Sequence, residues 1–285
     1  GDCAALMYQS HFGLQEAPFA LTPNTRYFLR APSHSDALEL LLVALRQREG
    51  FIKVTGEVGT GKTLLCRLLL NELDRDACTA YVPNPNLPPD TLYEAVAEEL
   101  GVDVAVCANV HQILKALNER LIALAMDQKP VVLVIDEAQA MPEETIEALR
   151  LLTNLETEST RLLQIVLFGQ PELDTTLSKD SLRQLRQRIT FQTRLQPLNR
   201  DSVSQYLRHR LSQAGYNGSD LFAPAALRVI WRASGGIPRL VNVLAHKAML
   251  AAWGQGDRLV NRRHALLAVR DTESARSLGL FGRWL

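Results

Sequence analysis

Phe51 to Thr63 reads FIKVTGEVGTGKT, a short apolar run that breaks into glycines and ends in Gly-Lys-Thr before LLCRLLLNEL. A buried strand must therefore enter a tight glycine turn and leave it as a helix, spanning Leu64 to Leu73. Gly56-x-x-x-x-Gly61-Lys62-Thr63 has the spacing of a phosphate-binding loop. The glycines let consecutive backbone N–H groups turn inward around phosphate oxygens, where a Cβ would collide. The expected nucleotide-binding set is Gly56, Glu57, Val58, Gly59, Thr60, Gly61, Lys62, Thr63 and Leu64. Lys62 is expected to reach the β- and γ-phosphates, and the Thr63 hydroxyl to ligate Mg²⁺. The positive end of the following helix dipole would favour the same anion. A plain glycine-rich turn is the alternative, but this pattern arises by chance in fewer than about one chain in a hundred of this length.

Hydrolysis needs a carboxylate as well. Val131 to Glu137, VVLVIDE, suits a central parallel strand buried on both faces. Asp136 would then lie at its carboxyl end, where open α/β sheets place ligands, and hold Mg²⁺ through water. Glu137 could polarise the water that attacks the γ-phosphate. A simple helix N-cap is the other use of such a pair.

At 285 residues, one large or two modest domains are expected. A hydrophobic content of 47% with 22% charged residues describes an ordinary globular chain. No apolar run approaches the ~18 residues that cross a bilayer, and no secretory signal is present. Gly1 to Leu6 (GDCAAL) precedes Met7 and reads as a vector-derived remnant. Cys66, Cys78 and Cys107 are scattered without CxxC spacing, which favours free thiols in a reducing compartment. The six His residues do not cluster, so Mg²⁺ with nucleotide is the only metal implied.

The net charge of zero hides an asymmetry. Residues 1–180 carry 14 Lys and Arg against 26 Asp and Glu; residues 181–285 carry 17 against 5. Two solvated surfaces of unlike charge would account for this. So would head-to-tail self-association, or an anionic partner such as nucleic acid or lipid.

Short apolar strands alternate with amphipathic helices, as a parallel α/β sheet requires. Strands are expected at Thr79–Val82, Leu162–Phe168 and Ile189–Leu195 besides the two above, with helices at Thr91–Leu100, Asn109–Met126 and Pro142–Leu155. After Pro197 only helical periodicity remains, over Asp201–Ala214, Pro224–Ala233, Arg239–Trp253 and Arg262–Asp271. The expected division is 7–197 for an N-terminal strap with an α/β nucleotide domain, 198–271 for a small helical domain, and 272–285 for a tail.

Several stretches carry a resemblance: HFGLQEAPFALTPNTRYF, GEVGTGKTLLCR, VVLVIDEAQ, FGQPEL, LRQLRQRI and GGIPRLVN. Together, over Tyr8 to Asp271, they resemble the AAA+ ATPases of the GspA/ExeA type that serve secretion and type IV pilus biogenesis. The resemblance implies a three-layer P-loop core with a parallel sheet and a C-terminal all-helical lid. It implies ATP and Mg²⁺ as ligands, and a homo-oligomer that assembles head to tail in response to nucleotide. Gln170 matches the sensor-1 position, Arg239 matches sensor 2, and Arg188 or Arg186 matches an arginine finger given in trans. Pro18, Phe19 and Tyr27 line the adenine pocket or strap the sheet. The expected setting is cytoplasmic, at the inner membrane only through pilus or secretion proteins. ExeA-like proteins continue into a transmembrane helix and a peptidoglycan-binding region, whereas this chain stops at Leu285, so the shorter, soluble kind is expected. The tail LGLFGRWL, with Leu280, Phe281, Trp284 and Leu285, would dock on a partner or on the chain's own lid. A DNA-associated AAA+ regulator and a nucleotide-gated scaffold with slow incidental hydrolysis are the alternative functions.

Overall fold

A computed structural model describes residues 2–20, 32–155 and 161–276. It forms two compact units: Gly1–Pro32, Val58–Gly61 and Gln196–Leu285 in the first, Ser33–Glu57 and Lys62–Leu195 in the second.

The second unit holds a five-stranded, wholly parallel sheet. Its strands are β1 (Phe51–Thr55), β2 (Cys78–Val82), β3 (Val131–Ile135), β4 (Gln164–Gly169) and β5 (Phe191–Arg194), in the order β2-β3-β4-β1-β5. Alternation along the strands divides their side chains between two cores, as a pleat of period two requires. Ile52, Val54, Val132, Val134, Val166 and Phe168 pack on one face with helices α2 (Pro32–Arg46) and α3 (Lys62–Leu73). Phe51, Leu133, Ile135, Ile165 and Leu167 pack on the other with α4 (Pro89–Glu99), α5 (Val110–Met126) and α6 (Glu143–Thr153). Both faces are covered, so strands β1, β3 and β4 are buried along their whole length. Lys53 is the charged exception in β1, and its ammonium pairs with Asp174 of α7 (Glu172–Leu177). A further short helix, α8 (Arg183–Arg188), precedes β5.

The first unit is helical: α1 (Asp2–Phe12), α9 (Arg200–Gln213), α10 (Pro224–Ser234), α11 (Pro238–Gly254) and α12 (Arg262–Arg270). One isolated parallel bridge, Phe222 to Val260, is its extended pairing among the described residues. Residues 7–20, expected with the α/β domain, group here instead. Tyr8, Phe12, Leu14 and Phe19 are buried in the same core as Val203, Leu207, Leu244 and Met249. Arg210 fixes the segment by donating to the Pro18 carbonyl at 2.6 Å and the Ala20 carbonyl at 2.9 Å. Phe19 lies edge-on to Phe222, with ring centroids 6.3 Å apart, so it straps helices rather than the sheet. Helix α1 also runs back to Asp2, so the backbone of residues 2–6, set aside in the sequence as a remnant, continues the fold.

Candidate nucleotide site

The site is built on the carboxyl ends of β1 and β3. Strand β1 runs into the loop while still paired: the Gly56 N–H donates to the Gly169 carbonyl at 3.2 Å, extending the β1–β4 ladder by one bond. Helix α3 starts at Lys62, two residues before its expected start at Leu64. Lys62 is only 6% exposed, and its ammonium donates to the carbonyls of Gly56 at 2.6 Å and Glu57 at 2.9 Å. Burial lowers its pKa, while the Glu137, Asp136, Glu57 and Glu172 carboxylates oppose that shift. The amine thus sits within the curl of its own loop, with four carboxylates offsetting its burial in part.

The crest of the loop, Val58–Gly61, groups with the first unit. Gly59 takes φ +79°, and a Cβ there would come within 2.7 Å of Arg239 Cβ and 3.0 Å of Ile237 Cγ2. The Arg239 N–H donates to the Gly59 carbonyl at 3.2 Å. A side chain is excluded twice at Gly59, by backbone conformation and by space.

Strand β3 ends at Ile135, so Asp136 and Glu137 lie just past the sheet rather than inside the strand. Asp136 is 3% exposed and accepts the Glu137 N–H at 2.8 Å. Burial raises its pKa, and the Glu137 N–H and the Thr63 hydroxyl, both hydrogen-bonded to it, pull it back. A hydroxyl and a buried carboxylate side by side are the donor set a Mg²⁺ ion takes, and a divalent cation would restore the charged form that burial disfavours. Thr63 and Asp136 therefore fit the ion. Glu137 adopts the left-handed conformation, φ 52° and ψ 38°, which turns its half-buried side chain away from the strand direction.

Gln170 directly follows β4, which lies beside β3. Its N–H donates to Gln139 Oε1 at 3.0 Å, and Gln139 Nε2 donates to Glu137 Oε2 at 2.5 Å. Gln139 was not among the expected site residues. Its signal was in the run VIDEAQ, two places after the glutamate.

The α8 arginines lie elsewhere. Arg188 donates to the Thr153 hydroxyl and lines a cavity of about 300 Å³ with Gly50, Phe51, Arg161, Gln187 and Thr190. Arg186 donates to the Leu177 carbonyl at 2.5 Å and the Lys179 carbonyl at 3.4 Å. The Arg188 cavity is at the amino end of β1, about 16 Å of strand from the phosphate loop.

Residues 45–177 match the family described as AAA domain. Among solved structures, the chain is similar to the Aeropyrum pernix ORC2 protein in ADPNP–ADP complexes: TM-score 0.63, 19% identity, 90% of this chain and 72% of that one. It is also similar to the Aeropyrum pernix ORC1 protein in complex with DNA, with TM-score 0.64, 22% identity and 89% and 69% coverage. The chain has the AAA+ P-loop fold. The Thermotoga maritima RuvB Holliday junction branch migration motor is a further AAA+ neighbour, with TM-score 0.54, 17% identity and 86% and 70% coverage. In sequence, this chain is 40% identical over 273 residues to general secretion pathway protein A of Aeromonas hydrophila. That match covers 96% of this chain and 50% of the relative, so the chain spans half the length of the curated protein it matches. Together the matches support an ATP-binding P-loop NTPase related to the GspA/ExeA type.

No described helix of this chain is long and apolar enough to cross a membrane. Tyr27, expected either at the adenine pocket or as part of a strap over the sheet, and the tail residues Leu280, Phe281, Trp284 and Leu285 lie outside the described residues.

Proposed function

We propose that this chain hydrolyses ATP between adjacent copies of itself, in support of a type II secretion apparatus or an MSHA-type (type IV) pilus, as an ATPase of the MshM kind. The observation that carries hydrolysis is the convergence of Lys62, Thr63, Asp136 and Glu137 beyond the carboxyl ends of β1 and β3. Glu137 takes the proton of the attacking water, and Lys62 stabilises the charge that develops on the γ-phosphate oxygens. Mg²⁺, held by Thr63 and Asp136, would neutralise the β- and γ-phosphate oxygens when bound. Gln170 and Arg239 take the sensor roles that the resemblance gives them. The identity to general secretion pathway protein A supports the secretion or pilus setting, cytoplasmic and reaching the inner membrane through a partner.

The α8 arginines support sharing of the site between copies. With Arg188 at the far end of β1, it serves a γ-phosphate only in a neighbouring subunit, and we favour it over Arg186, whose guanidinium is engaged by two backbone carbonyls. An arginine finger is worth about 10³ to 10⁵ in rate. The test is ATPase rate against protein concentration, with Arg188→Ala and Lys62→Ala assayed alone and mixed. Specific activity that rises with concentration, and partial rescue on mixing, are expected. A flat rate with no rescue would remove the trans arginine and favour the nucleotide-gated scaffold.

A second reading, DNA association, rests on the excess of 17 basic over 5 acidic residues in 181–285. It requires duplex binding whose log K falls steeply with log salt. Salt-independent or undetectable binding excludes it.

A further inference from the structure

We propose that Gln139 is a positioning residue: its amide clamps the Glu137 carboxylate and ties it to the backbone at the tip of β4. This rests on the reading above that Glu137 activates water.

Three observations carry it. The first is the orientation of the amide. A backbone N–H can only donate, so the Gln170 N–H at 3.0 Å requires the oxygen of Gln139 on its side. The nitrogen must then face Glu137, to which it donates at 2.5 Å. The amide cannot flip without setting two like groups against each other at both ends. The second is backbone support. Gln139 sits in the short turn Ala138–Ala140, whose entry Glu137 makes in the left-handed conformation, so the amide and the carboxylate it clamps are held within three residues of backbone. The third is space. A Cβ at Gly169 would stand 3.4 Å from Gln139 Oε1 and 2.9 Å from Leu173 Cδ2, so the bare glycine leaves room for the amide.

The physical need is plain. A glutamate side chain has three rotatable bonds, and fixing it costs rotamer freedom. A charge-assisted bond from an anchored amide removes that freedom before substrate arrives. Glu137 heads the four carboxylates that oppose the burial-lowered pKa of Lys62, so the clamped group belongs to the same charged cluster. The clamp also makes Glu137 sensitive to β4: any shift of the Gln170 backbone is passed through one amide to the base.

The test compares kcat and the ATP dissociation constant for the wild type, Gln139→Met, Gln139→Glu and Glu137→Gln, all close in size to the originals. We expect kcat to fall about 10- to 100-fold in both Gln139 variants while ATP affinity stays within about threefold. Gln139→Glu should be at least as slow as Gln139→Met, because its carboxylate can still accept from the Gln170 N–H but cannot donate to Glu137. If Gln139→Glu keeps the wild-type kcat while Gln139→Met loses it, the residue merely braces two loops and the proposal fails. It fails equally if both turn over at the wild-type rate while Glu137→Gln is silent, an outcome that leaves the hydrolysis reading standing. A fully active Glu137→Gln overturns that reading and the clamp together. Should Gln139→Met not fold, Gln139→Glu decides alone.

Discussion

The Lys62 ammonium donates to two carbonyls of its own loop, which curl round it. Nucleotide would take over those contacts, so the lysine both shapes the loop and serves its ligand. Lys62→Ala is expected to weaken ATP binding about 10- to 100-fold, the worth of one hydrogen bond to a charged group. Titration with a fluorescent ATP analogue checks this, and an unchanged affinity would mean that backbone N–H groups alone hold the phosphates. At this scale the sequence was legible wherever a residue acts through its own chemistry at a fixed spacing: lysine after glycine, hydroxyl after lysine, acid after a buried strand. Gln139 escaped because its role depends on which backbone N–H approaches it from β4, 31 positions along the chain. No local pattern encodes that.

Among elements, the turn from α10 to α11 is the most tightly constrained backbone. Gly236 takes φ +75°, its carbonyl accepts the Leu198 N–H at 2.8 Å, and a Cβ there would stand 2.0 Å from the Leu198 carbonyl oxygen. Unlike a side-chain clash, this one cannot be relieved by a rotamer change. Gly236→Ala should therefore cost about 2–3 kcal/mol, seen as a lower urea midpoint by circular dichroism. A midpoint equal to wild type would show that the turn yields. The five strands were legible as apolar runs, and helices α3 to α6 and α9 to α12 from their period, whereas α1 and α2 were not anticipated. Helices α7 and α8 were not, because six residues hold less than two turns of pattern. Nor was the partner of the N-terminal segment: Tyr8, Phe12 and Phe19 announce burial, but apolarity does not say against what.

For the whole molecule, the opposed charge of residues 1–180 and 181–285 makes self-association salt-sensitive if copies meet head to tail. Raising salt from 0.1 to 1 M shortens the screening length from about 10 Å to about 3 Å. Sedimentation with a non-hydrolysable ATP analogue should then show smaller species at high salt; an unchanged distribution would mean that apolar contacts hold the assembly. The strand order carries a further consequence, for synthesis. Strands β2 and β3 can pair as soon as Val131–Ile135 has been made, but β1 sits between β4 and β5, with Phe51 opposite Ile165 and Ile52 opposite Phe191. About 110 residues separate Phe51 from its first partner, which at 5–20 residues per second is about 5 to 20 s of translation. Throughout that interval the strand that carries the phosphate loop is an apolar segment with no ladder to join. The nascent chain therefore gains its nucleotide site late, and until then β1 is the stretch most in need of a chaperone.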